Sequence, residues 1–293
     1  MTVRPVVTRN FHPDSFSTPL SFLSAPDMAD ISFTLIIAAF SLFSLIYVAA
    51  VLTFKRFPAL NLHTGLDPYK AASRITAITH SSCLLPFVAG RLLSLYPHFP
   101  YLAANTALDC HVMAFSFAYF AQDILHFVLV EPNDTTLLAH HIVCITFYTS
   151  VLHAHIGGTA MLAAVLMGEV TNPLQCVWYL SKLSSCTAVY QWVSPIFTGS
   201  FLVVRVLVVP VWVVDIVRGY VEGWRRGELG GVYAVCWSAM SVAMMLGSWV
   251  WSWQLLTGYM RMRAKRGRVT PGEKRSVGGD EFASVVGASS KYE

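Results

Sequence analysis

The chain has 293 residues, of which 55% are hydrophobic and 12% charged, whereas soluble domains carry about a quarter charged residues. Together with a mean hydropathy of +0.55, this excludes an ordinary soluble domain and implies an all-α, polytopic transmembrane helical bundle. The net charge of +4 gathers towards the C-terminal end, so it bears on membrane orientation and gives no support to nucleic-acid binding.

Residues 1–29 are polar and hold Pro5, Pro13, Pro19 and Pro26. They contain no apolar run fit for a signal peptide and are expected to be a disordered tail. Arg4 and Arg9 among several Ser and Thr suggest a transit segment, and Asp14 and Asp27 count against one. Residues 31–54 are uncharged and close on Lys55 and Arg56. That pattern fits a first spanning helix with a basic flank, in a unit of residues 30–69 that includes the loop after it.

A second span is expected over residues 75–95, carrying His80, Pro86 and Arg91. Arg91 lies near the helix end, where a long side chain can snorkel to the interface. A third span, 103–130, places Asp109, Ser116, Tyr119, Asp123 and His126 on one helical face. Val112, Met113, Phe115, Phe117, Ala118 and Phe120 form the other face, suited to lipid or packing. A polar stripe on a spanning helix faces the bundle interior, because lipid cannot solvate it.

After the turn at residues 131–135, a fourth span covers 136–153 and a fifth 159–181. The Asn133-Asp134-Thr135 sequon sits too close to the membrane to be a good glycosylation acceptor. Residues 135–168 hold no Asp, Glu, Lys or Arg, and then Glu169 appears, four positions before Pro173. Pro173 cannot bond the Glu169 carbonyl and should bend the helix there. A sixth span, 194–217, contains Arg205 and Pro210, followed by a connector at 218–229. The seventh lies in 230–260, with Trp249, Trp251 and Trp253 near one end as in an interfacial aromatic belt. Residues 261–293 form a basic and then polar tail that reads as disordered.

Seven spans put the termini on opposite sides. With the C-terminus cytosolic, twelve Lys and Arg fall on that side, at residues 55–74, at Lys182 and at 261–275, against five on the other. That asymmetry favours a cytosolic C-terminus. The six cysteines are scattered without a CxxC or other metal spacing, so neither a disulfide framework nor a metal site is expected. No cofactor is indicated.

The candidate site combines His140 and His141 with acids on other spans. Neutral imidazole is basic and nucleophilic near pH 7, so the pair suits general acid–base or acyl-acceptor chemistry. Asp123 or Glu169 would orient it. His141 is followed on its own face by Cys144 and Tyr148. The structural alternative is that one His bonds a helix neighbour and the other lies at the interface. Arg205 is isolated in its span and needs an acid, so an ion pair with Asp123 or Glu169 is the simplest structural use of those carboxylates. His153 and His155 match no fixed ligand spacing with the His pair.

In order along the chain, the motifs resemble those of the TLC domain, found in translocating-chain-associating, longevity-assurance (ceramide synthase) and ceroid-lipofuscinosis proteins. The matching pieces are Arg74 with His80, AYFAQDIL at residues 118–125, His140-His141 with Tyr148, Gly158, EVTNP at 169–173, and Arg205 with Pro210. The resemblance implies a TLC domain over about residues 70–260, with six further spans. It is similar to the branch outside the ceramide synthases: those carry a His-Asp and a further Asp on the helix after the His pair, where this chain has Met167-Gly168-Glu169.

The resemblance implies a role in membrane lipid homeostasis, with an acyl chain or lipid held in a polar-ended cavity of an endoplasmic-reticulum membrane, and the departure from the ceramide synthases counts against sphingoid N-acylation. Catalytic candidates are His140, His141 and Asp123. Glu169, Arg205, Tyr148, His80 and Asn172 are expected at the lipid-binding polar core. Membrane lipids or acyl-CoA are the expected partners. The alternatives are a lipid acyltransferase using the His pair and an endoplasmic-reticulum cargo receptor.

Overall fold

The computed structural model describes residues 25–57 and 67–268. Most of both expected tails, residues 1–24 and 269–293, and most of the loop after the first span lie outside the described residues. Their inner ends are helical: α1 opens at Ala25 and the last helix runs to Arg268. Among the described residues there is no β-strand, and seven helices are long and apolar enough to cross a membrane.

The helices are α1 (Ala25–Arg56), α2 (Pro68–Leu95), α3 (Ala107–Val130), α4 (Thr135–Ala154), α5 (Gly158–Glu169), α6 (Asn172–Leu183), α7 (Thr187–Leu202), α8 (Val209–Arg225) and α9 (Gly231–Arg268). Their starts follow local chemistry. Asp67 caps α2 by accepting from the backbone N–H of Tyr69, with Pro68 in the first turn. Thr106 and Asp109 form a reciprocal capping box on α3. Asp134, from the sequon, caps α4 by accepting from Leu137 N–H at 3.0 Å.

Two spans are not simple helices. The fifth breaks at Val170 and Thr171, between α5 and α6, as Pro173 leads one to expect. The sixth passes from α7 through a π-helical segment, Val203–Val208, into α8. Pro210 has no N–H for the carbonyl four residues back, and the wider π turn accommodates that loss, with Val209 N–H bonding to Val204 O. This span runs from Thr187 to Arg225, longer at both ends than the expected 194–217. Its amphipathic extension past Val217 continues as helix where the sequence reads as a connector.

α3 is the most buried span and packs against α1, α2, α4 and α5. Its polar stripe is interior: Asp109, Ser116, Tyr119, Asp123 and His126 are all buried. The other face is packed too, with Val112, Met113, Ala118 and Phe120 buried. Gly158 lets α5 start against α3: a Cβ there would lie 2.8 Å from Asn105 Oδ1, which instead accepts from Gly158 N–H at 2.7 Å. Outward faces carry Leu45, Leu93, Leu129, Val211 and Val250, all exposed, as lipid contact requires.

Candidate functional site

His141 is held at both ring nitrogens. Nδ1 lies 2.7 Å from Leu137 O, and Nε2 lies 3.0 Å from Asp123 Oδ2. Both ring nitrogens thus face an acceptor oxygen, one on the backbone and one on a carboxylate. Asp123 also accepts from Ser73 Oγ at 2.9 Å and from Tyr119 Oη at 3.4 Å. The carboxylate is nearly sealed, at 1% exposure. A buried acid with donors from α2, α3 and α4 ties three helices together, and removing one partner of such a pair costs about 3–5 kcal/mol.

A second polar knot lies at the helix break. Glu169 Oε2 accepts from Ser81 Oγ at 2.5 Å and from Asn172 Nδ2 at 2.9 Å. His80 Nδ1 is 3.7 Å away, beyond hydrogen-bond length and within electrostatic reach. His80 Nε2 meets Ser116 Oγ at 3.2 Å, and its ring stacks on Tyr119 with centroids 4.1 Å apart. The break frees carbonyls in the last turn of α5, and Gly168 O accepts from Arg205 Nη2 at 2.6 Å.

His140 faces elsewhere. It lines a cavity of about 100 Å³ between α3, α4, α5, α9 and the sixth span. A water needs about 10–15 Å³ on this kind of measure, so the space takes several waters or part of a slender chain. Its walls are mainly apolar, with Phe147, Met161, Val165, Val209, Ile216 and Met245 among them. The polar groups on the lining include His140, Cys144, Tyr148, Glu169 and Arg205. His140 Nε2 meets the Cys144 thiol at 3.7 Å, a weak contact that leaves the ring available.

Two sequence expectations change here, those for Arg205 and Arg91. Arg205 forms no ion pair with an acid among the described residues. It bonds a main-chain carbonyl, and its Nε has no hydrogen-bond partner there. Each acid within a span is engaged otherwise: Asp109 with Arg91, Asp123 with His141, Glu169 with Ser81 and Asn172, Asp215 with Tyr101 Oη at 2.5 Å, and Glu222 with Arg226. Arg91 does not simply snorkel, since its Nε lies 3.3 Å from Asp109 Oδ1. Cys144, which helical spacing puts within reach of either histidine, contacts His140.

The candidates thus divide. His140, Tyr148, Glu169 and Arg205 meet at the cavity, while Asp123, His141, His80 and Asn172 pack behind it. Asn172 joins the knot by donating to Ser81 Oγ at 2.9 Å. Sequence reasoning missed Ser73 and Ser81, the hydroxyl donors that complete the two knots. Their signal was present: Ser73, His80 and Ser81 fall on one helical side of α2. Near the end of α3 a further set forms, with His126 between Tyr47 Oη at 2.9 Å and Glu131 Oε2 at 3.1 Å. Lys70 Nζ lies 2.7 Å from Glu131 Oε1. Burial alone would raise the Glu131 carboxyl, but His126 and Lys70 hold it down at about 2.

A family model described as the TLC domain matches residues 69–257. Among curated proteins, the chain is similar to a TLC domain-containing protein of Arabidopsis thaliana. The two are 28% identical over 224 residues, covering 74% of this chain and 86% of that protein. No solved structure matches the chain.

Proposed function

Because this chain belongs to the TLC-domain family, we propose that it is a multi-pass protein of membrane lipid homeostasis whose cavity binds or senses an acyl chain or lipid. The observation that carries this reading is the cavity itself, with mainly apolar walls and His140, Glu169 and Arg205 among its polar lining groups. Ligand sites have this character: mainly apolar lining with a few convergent polar groups. The paired residues Asp123, His141, His80 and Asn172 act as the scaffold that fixes those groups. Placement in the endoplasmic reticulum with a cytosolic C-terminus is part of the same proposal, supported by the distribution of Lys and Arg.

One observation favours acyl transfer as the second reading: His140 lines the cavity with a lightly engaged ring. His140 is then the base or acyl acceptor. His141 is unsuited to it, because both of its nitrogens are occupied. The test is to purify the full chain and measure copurified lipid by mass spectrometry. Wild type should retain acyl lipid, and Ser241→Phe, which fills the cavity, should lose most of it. Equal lipid content in both would sink the binding reading. A covalent acyl adduct absent from His140→Ala would support the second reading.

A further inference from the structure

We propose that the cavity selects a single-chain carboxylic acid, an unesterified long-chain fatty acid, with its carboxylate seated on Arg205. This rests on the lipid-binding reading above and names the ligand class. Arg205 is near the middle of the sixth span and lines the cavity. Its guanidinium is fastened on one side, by Nη2 to Gly168 O, and its Nε is a buried donor without a hydrogen-bond partner among the described residues. The bond to a neutral carbonyl positions the group and does not neutralise it. The five acids within the spans all have other partners, Glu222 with Arg226 among them, and Arg205 lies in an ion pair with none of them.

The charge thus borders an apolar space with one buried donor unused, and an anion there would complete it. Guanidinium matches the flat carboxylate with charge-assisted hydrogen bonds. A single negative charge balances the single cation. The chain of the acid would lie along Met161, Val165, Val209 and Ile216. A volume of about 100 Å³ favours one chain over the two of a phospholipid. Glu169 also lines the cavity, but Ser81 and Asn172 hold its Oε2 on the far side of the knot. It then disfavours a second anion and sharpens the selection for a monoanion.

The test compares tritiated palmitate, methyl palmitate and hexadecanol as ligands for the full chain in a neutral detergent. Palmitate should bind at least about tenfold more tightly than its methyl ester, the scale of a hydrogen bond to a charged group. Arg205→Gln should abolish that preference by lowering palmitate affinity to the level of the ester. Should that variant fail to fold, [1-¹³C]palmitate bound to wild type supplies the second measurement. Its carboxyl resonance should report an ionised, immobilised carboxylate that is displaced by excess palmitate and not by methyl palmitate. Equal affinity for acid and ester, or a bound carboxyl in the neutral form, would overturn this inference while leaving acyl-chain binding intact. No binding of any of the three would overturn both readings.

Discussion

Two adjacent histidines have opposite situations in this protein. His141 is 5% exposed and bonded at both nitrogens, to Leu137 O and to Asp123. His140, one residue earlier, lines the cavity, packs against aromatic rings and has a thiol at 3.7 Å as its polar contact among the described residues. Neighbours on a helix point about 100° apart, so one turn of α4 serves both the bundle's internal bonding and its cavity. The pair is therefore not one structural unit: the member with a carboxylate partner ties helices together, and the member without one lines the cavity.

The contrast breaks most visibly at Asp123. Asp123→Ala leaves His141 and Ser73 without their acceptor, and a loss of about 3–5 kcal/mol is expected. The variant should fail to accumulate as a monodisperse species on size-exclusion chromatography. Wild-type yield and thermal stability would show that the knot is dispensable. Next in size is the difference between the two histidines. His141→Ala should cost about 3 kcal/mol, the low end for a broken buried pair, because Ser73 and Tyr119 still donate to the Asp123 carboxylate. His140→Ala should cost under about 1 kcal/mol and change lipid retention instead. Thermal unfolding in detergent measures both, and equal losses would erase the distinction.

Smaller again is the ion pair at the opposite membrane side. Arg91→Ala is expected to cost about 1 kcal/mol, because Arg91 is partly exposed while Asp109 also serves the α3 cap. A matching loss in Asp109→Asn that is not additive with it would establish the pair. The smallest effect concerns Glu131, which joins His126 and Lys70 outside the spans. Its folded carboxyl sits at about 2 against an ordinary 4.5. The group therefore contributes fully above about pH 4.5, and the contribution fades as pH falls towards 2. Glu131→Gln should flatten the decline of melting temperature across that window. An unchanged decline would assign the acid sensitivity elsewhere.

Much of this was legible in the sequence, for identifiable reasons. Long uncharged runs mark the spans because the membrane core excludes charge over a fixed thickness. The α3 stripe was legible because helical spacing alone puts Asp123 and His126 on one side. Asp123 as the partner of a histidine in the pair also followed, since buried acids need donors. Which histidine it holds did not, because the rotation of α4 against α3 is set by packing.

The Arg205 partner was misread for a related reason. Counting charges finds an acid for every base, but it overlooks carbonyls released by a helix break. Pro173 signalled the break, yet nothing in its spacing shows that Gly168 O would meet an arginine 37 positions later. The π-helical turn was likewise hidden. Pro210 announces a fault in the helix, and neighbouring helices decide whether it becomes a kink or a wider turn.

The most direct measurement is to photocrosslink a diazirine-bearing fatty acid to the full chain in membranes and map the modified residues by mass spectrometry. Adducts should concentrate on Met161, Val165, Met244 and Met245, which line the cavity, and should fall when unlabelled palmitate is added. Adducts confined to Leu45, Leu93, Leu129 and Val211 on the outer faces, insensitive to competitor, would contradict a lipid-binding cavity.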